Sequence, residues 1–181
     1  TYDFWSSAID TNTTIADADE NTFGSKKFAA KGGVWSQLKL RTGTDGNLQR
    51  KLLTNRMASG TGSSATFTDG TSLRQVNLAD LTDTTYQNDQ NRGYLMSLLG
   101  YEVDAANPAT INTTSLSTAV ELRQVGSVMH SLPLLVTNKG KVAYNASTKK
   151  IESSNREDYV LFGTTQGLLH VVDAKTGQEK F

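Results

Sequence analysis

The sequence predicts a mainly β fold, a fragment of a β-propeller comprising about one full blade plus an N-terminal hairpin, with long polar loops and one short helix. Three observations carry this. The runs YVLF (159–162) and LLHVV (168–172) are apolar, short and bounded by turn residues, as strands covered on both faces are. The turn signals TTQG (164–167) and DAKTG (173–177) follow each of them at hairpin spacing. A further apolar run, LPLLV (132–136), contains Pro133 near its start, where a strand or sheet edge tolerates it. Four strands joined this way make one propeller blade.

Taken in order, residues 1–31 form a polar N-terminal connection with Phe4, Trp5, Phe23 and Phe28 as scattered aromatic anchors, and residues 32–181 form the N-terminal part of an incomplete propeller domain. Val34, Leu38 and Leu40 fall in one run and Leu48, Leu52 and Leu53 in the next, with the turn signal Thr44, Asp45, Gly46, Asn47 between them, so a hairpin is expected. An insertion at about 56–118 should interrupt the β part. Within it, residues 57–71 are small and polar and read as a loop unable to bury enough apolar area to order itself. Tyr94, Leu95, Leu98 and Leu99 share one helical face, with Asn88 or Asp89 as cap and Gly100 as stop, which predicts one short helix. Residues 107–117 read as a polar linker, and the stretch between Val136 and Asp158 as a polar insertion. Gly177 suits positive φ, and the Asp173 carboxylate can cap its turn.

Composition narrows the function classes. The 181 residues carry 18 basic and 18 acidic side chains, so the broad positive field of a nucleic-acid binder is not expected. Cysteine is absent, which removes disulfides, thiolate catalysis and thiolate-bound zinc while fitting oxidising and reducing compartments alike. No apolar run approaches the roughly 20 residues of a membrane span. A start at Thr1 rather than Met, and an end at Phe181 within a β-patterned run, read as a processed or truncated product.

Chemistry-bearing patterns are weak. His130 and His170 are the only histidines and supply too few ligands for zinc, so each is expected as a hydrogen-bonded structural histidine in a strand. Asp10, Asn12, Asp17 and Asp19 suggest calcium, yet the frame from Asp17 puts Thr22 and Phe28 where an EF-type loop needs Gly and Glu. A solvated acidic loop is the expectation. Ser127 and Ser131 flank His130 without a third group to orient an imidazole, and the glycines at 32, 33, 60 and 62 lack the lysine and context of a phosphate loop. Of the aromatics Trp5, Trp35, Tyr94 and Tyr101, Trp35 is expected in the core or between blades, while Trp5 sits in polar surroundings.

The order VGSVMHSLP, then YVLFGTTQGLLHVVDAKTGQE, resembles the carboxyl-terminal propeller of the PilC/PilY family of type IV pilus tip adhesins. That family carries a GD-hydrophobic-x-HS-x-P stretch followed by GANDGMLHAFDA-TG-E. Gly126, His130, Ser131 and Pro133 match the first, and Gly163, Gly167, Leu169, His170, Asp173, Ala174, Thr176, Gly177 and Glu179 match the second. Earlier segments, AAKGGVWSQLKL and RKLLTN, are similar to the family's Gly-Gly segment and Arg-Lys-x-x-Thr strand. Ser127 stands where the family has Asp, and Thr165 and Gln166 where it has Asn-Asp, so any turn-forming role of those groups must be filled differently.

The resemblance implies a non-enzymatic protein exported to the bacterial surface, pilus tip or outer membrane, which promotes pilus assembly and adhesion. Its implied partners are minor pilins, a host or abiotic surface and the rest of its parent chain. It implies structural roles for the matched residues, with no catalytic, cofactor or metal site within the chain and calcium only in the parent beyond Phe181. Two alternatives stay open. VVDAKTGQE also resembles the blade repeat of quinone-dependent propeller dehydrogenases, although that repeat closes with Trp where Phe181 stands and recurs several times. The other is a scaffold propeller for outer-membrane assembly.

Overall fold

Two antiparallel sheets organise the described part of the chain, which is mainly β. The structure, a computed structural model, describes residues 50–120, 122 and 125–181 together with Val34. The chain divides into two compact units, one of Lys39–Gln124 and one of Thr1–Leu38 with Val125–Lys180. The expected turn at Thr44 to Asn47 lies outside the described residues, as do Trp5, Trp35 and the acidic loop from Asp10 to Asp19. Val34, placed in a strand run by the sequence, has helical backbone. A short apolar run fits either period, and tertiary context chooses between them.

In the first unit, β1 (Leu53–Ser59) pairs with β2 (Thr66–Gln75), Leu53 opposite Gln75 and Ser59 opposite Thr66. This corrects the expectation of an unordered loop at 57–71. The ladder satisfies the backbone without requiring deep burial, and Phe67 supplies an anchor: its ring lies 5.9 Å from that of Tyr86, with the Arg56 guanidinium 5.6 Å above it. The connection carries Gly60 and Gly62 at φ 85° and 65° and one short 3-10 turn, Gly62–Ser64.

The expected helix is present as α1 (Arg92–Leu99), and Gly100 at φ 106° ends it. The Tyr101 N–H reaches back to the Met96 carbonyl at 3.2 Å, closing the turn. Its buried face differs from the expected one. Gly93, Met96 and Leu99 are buried, whereas Tyr94 is half exposed. The i, i+3, i+6 row has the smaller residue at its head, which lets the helix approach its neighbour closely, and the bulkier Tyr94 is turned outward. The N-cap is Asn91 without a side-chain cap. Asp89 instead accepts the Asn91 N–H at 2.9 Å from the turn before.

The expected polar linker at 107–117 is also corrected. It contains a 3-10 turn at Pro108–Thr110 and a second helix, α2 (Thr113–Thr118). A capping box starts α2: the Asn112 side chain accepts the Ser115 N–H at 3.0 Å and the Ser115 hydroxyl accepts the Asn112 N–H at 3.0 Å. Ile111 and Leu116 are buried with Val76, Met96, Leu99 and Tyr101, forming the core of this unit.

In the second unit, β3 (Leu134–Asn145), β4 (Lys150–Gly163) and β5 (Leu169–Asp173) form a sheet in the order β3-β4-β5. β3 begins directly after Pro133, as expected of an edge strand. The polar stretch between Val136 and Asp158 is corrected from an insertion to two strands, which continue the hairpin beyond β5 as a two-stranded ribbon exposed along most of its length. Its four-residue turn is closed by Asn145, whose Oδ1 accepts the N–H groups of Ser147 and Thr148 at 3.0 and 3.2 Å. The same side chain donates to Glu152. Local turn chemistry and the ladder hold this ribbon, which is why hydrophobic patterning did not signal it.

Candidate functional site

The matched residues converge at the β4–β5 end of the second unit. β4 stops at Gly163 because Thr164 to Gly167 turns the chain: the Gly167 N–H donates to the Thr164 carbonyl at 3.0 Å, and Gly167 sits at φ 76°. β5 then returns with Leu169 opposite Gly163 and His170 opposite Phe162. The second expected turn follows. The Asp173 carboxylate accepts the N–H groups of Lys175 and Thr176, both at 2.9 Å, and the Gly177 N–H donates to the Asp173 carbonyl at 2.8 Å with Gly177 at φ 73°. Val172 and Glu179 form a bridge beyond it, and Lys180 donates its N–H to Val171 at 2.7 Å.

The segment at 125–131 is clasped onto the first turn by four hydrogen bonds. Ser131 Oγ accepts the Gly163 N–H at 2.8 Å. Gln166 Oε1 accepts the Gly126 N–H at 3.0 Å, and Thr165 Oγ1 accepts the Ser127 N–H at 3.1 Å. The Thr165 N–H answers to the Ser127 carbonyl at 3.0 Å. Thr165 and Gln166, two of the three residues that depart from the motif described above, supply this contact through their side chains, and Ser127, the third, is held by Thr165. Space favours Gly126 here, since a Cβ would lie 3.0 Å from Gln166 Cγ, the Gln166 nitrogen and Thr165 Oγ1, and those neighbours would have to give way slightly.

His170 lies beneath the clasp. It is 1% exposed, stacks on Phe162 with centroids 5.1 Å apart and planes 12° apart, and meets Glu179 Oε1 through Nδ1 at 2.8 Å. Its Nε2 faces Thr164 Oγ1 at 3.4 Å. The expectation of a structural histidine in a strand holds for His170. It is corrected for His130, which is exposed, lies before β3 and takes φ 59°. The apolar neighbours of His130 gave it a strand's appearance, while the Ser131–Gly163 bond fixes a bend there.

Electrostatics follow from this geometry. Burial pushes the Asp173 carboxyl upward, but the Thr176 and Lys175 N–H groups, the Thr176 hydroxyl and the Lys180 ammonium together hold it below the usual aspartate value. On β4, the Thr137 hydroxyl and then Arg156 hold Asp158 down in the same direction.

Pro133 precedes β3 and Leu169 is more than half exposed, so neither joins the buried cluster. Leu169 is exposed and Tyr159, Val160 and Leu161 are only partly covered, so within this chain the two runs expected to be covered on both faces are not fully covered; only Phe162, Val171 and Val172 of the sheet's apolar residues are buried. A continuous apolar run identifies a strand that could be covered, but not the element that covers it. Among the described residues no group of three or more His, Asp or Glu is placed to hold a metal ion. No described helix is long and apolar enough to cross a membrane. Tyr101 is buried. Comparisons of the chain with family models, with curated proteins and with solved structures return no match.

Proposed function

We propose that this chain is part of a type IV pilus-associated surface protein of the PilC/PilY kind, working by binding and promoting pilus assembly and attachment. The observation that carries the reading is the paired motif, VGSVMHSLP followed by FGTTQGLLHVVDAKTGQE, in which spacing and residue type resemble that family at the thirteen positions named above. The packing of Gly126 and Ser131 against the 163–166 turn supports treating the two stretches as one structural unit. In this reading the β3-β4-β5 sheet and the Val172–Glu179 bridge are the strands of one propeller blade. Leu132, Leu134, Leu135 and Leu169, which lie on more than one face, are then exposed apolar residues available for packing by further blades of the parent.

A binding role also agrees with the condition of the conspicuous side chains. His170 and Glu179 are enclosed, with side chains 2% and 4% exposed, and Asp173 is occupied with its own turn. The implied setting is the exported bacterial surface or pilus tip, with minor pilins and a host or abiotic surface as partners. The test is an in-frame deletion of the parent gene, scored for surface pili by electron microscopy and for surface motility. Loss of both, restored by complementation, is the expected result. Unchanged pili and motility would overturn the reading and direct the purified parent to an assay of quinone-dependent oxidation, since DAKTG also resembles the repeat of those dehydrogenases.

A further inference from the structure

We infer that the β3–β4 ribbon carries a binding hollow for an anionic carbohydrate, a sugar unit bearing a carboxylate. The two strands do not pair regularly. The register slips between Thr137 and Lys139 and again between Lys139 and Lys141, and Asn155 on the facing strand takes φ 53°. Two adjacent irregularities in a ribbon held mainly by its ladder forfeit hydrogen bonds, and such bulges commonly serve to re-aim side chains. Here they open a concave surface of about 680 Å³, within the ordinary size range of small-ligand sites.

Its lining sets the ligand class. Lys139, Lys141 and Arg156 contribute positive charge, and Thr137, Asn138 and Ser153 contribute hydroxyl and amide groups, with Val142 as the apolar side chain. The cations are positioned in advance. Arg156 bonds Asp158 and Thr137 through its Nε and Nη2 edge at 3.0 to 3.2 Å, and Lys139 lies 3.5 Å from Glu157. Glu157 and Asp158 do not line this hollow; they line a neighbouring one, shared with Asp173 and Lys175, which Arg156 also lines. Lys141 pairs across the ladder with Ser154 rather than with an acid. A ligand entering the hollow meets the Lys141 ammonium and the Ser153 hydroxyl, beside an Arg156 guanidinium and a Lys139 ammonium that Asp158 and Glu157 already hold. The Thr137 hydroxyl and the Asn138 amide donate to the same two acids, so the three cations and two acids leave one net positive charge at the hollow.

That inventory matches a carboxylate set among hydroxyls. It lacks the aromatic platforms on which nucleic-acid bases stack, and one valine gives little purchase for the apolar side chains of a peptide strand. Self-pairing of β3 is opposed as well, because β3 has Lys139 and Lys141 and no acid, and two antiparallel copies would bring like charges together. The hollow follows from ribbon geometry alone and stands whether or not the parent is pilus-associated.

The test uses the full-length parent protein, titrated with glucuronic acid, glucose and sulfate and read by nuclear magnetic resonance or calorimetry. Glucuronic acid is expected to bind, glucose to bind at least about tenfold more weakly, and K141E to weaken glucuronic acid about tenfold or more, the loss expected for one charge-assisted contact. K141R should retain binding, and both variants should melt like the parent because Lys141 is exposed. Equal binding of sulfate and glucuronic acid would overturn the sugar assignment in favour of a generic anion site. Absence of binding, or binding unaffected by K141E, would overturn the site itself.

Discussion

Asp89 shows how much one side chain can organise. Its carboxylate is 1% exposed and accepts Arg56 Nε and Nη2 at 2.9 to 3.0 Å while also accepting the Asn91 N–H that leads into α1. That carboxylate holds the Arg56 guanidinium still more firmly in its charged form, against the opposing effect of burial. Replacing Asp89 with Ala strands a mostly buried guanidinium and a backbone donor together. A loss of about 3 kcal/mol is expected, read as a lower midpoint in chemical denaturation of the protein. At Asp173 the expectation concerns pH. A carboxyl held below its ordinary value contributes stability that is fully present above that value and is lost as pH falls through its depressed folded value. The amides of Lys175 and Thr176 should therefore stay protected at neutral pH, and their protection relative to the intrinsic exchange rate should begin to fall only below about pH 4, the ordinary aspartate region. Rapid exchange already at pH 7 would contradict the turn geometry.

At the scale of elements, α1 reverses a rule of propensity. Alanine normally stabilises a helix interior over glycine by about 1 kcal/mol. At Gly93, however, a Cβ would lie 2.6 Å from the Ala105 carbonyl oxygen and 3.0 Å from its Cα, both backbone atoms that cannot step aside singly. Gly93→Ala should thus destabilise the Lys39–Gln124 unit by about 2 kcal/mol net, visible as a lower melting temperature; a higher one would refute the close approach. The helix itself was legible from its apolar spacing and from Gly100. Its buried face was not, because Tyr94, Leu95, Leu98 and the Met96–Leu99 row are equally apolar in one dimension, and Ala105 selects among them only in three. The second helix has a signal of its own, Asn112 and Ser115 at cap and third position, in a stretch whose Thr and Ser content reads as linker.

For the whole molecule, the exposed apolar residues in and beside the β3-β4-β5 sheet matter most, with Leu134 and Leu135, successive on one strand, facing opposite sides of it. Leu132 is 92% exposed, with Leu134, Leu135 and Leu169 near 60%. Apolar area of this extent beside an edge strand favours association. The 181-residue chain made alone is expected to self-associate with rising concentration, measured by light scattering; a monomer with a cooperative melt would contradict this.

By itself the sequence determined the turns and the strands beside them. Asp173 to Gly177, Thr164 to Gly167 and the Gly100 stop are encoded by residues whose conformational preferences act locally. It also singled out Gly126, Ser131 and Gly163 of the clasp, and His170 and Glu179 of the buried pair, through their resemblance to a known motif. Tertiary structure alone decided who meets whom. It put Thr165 and Gln166 to work as acceptors for Ser127 and Gly126, turned His130 out and His170 in, and made strands of the polar residues between Val136 and Asp158. The reason is physical: a backbone ladder needs a partner strand rather than a particular side chain, so pairing over this distance leaves little trace in composition or hydrophobic period.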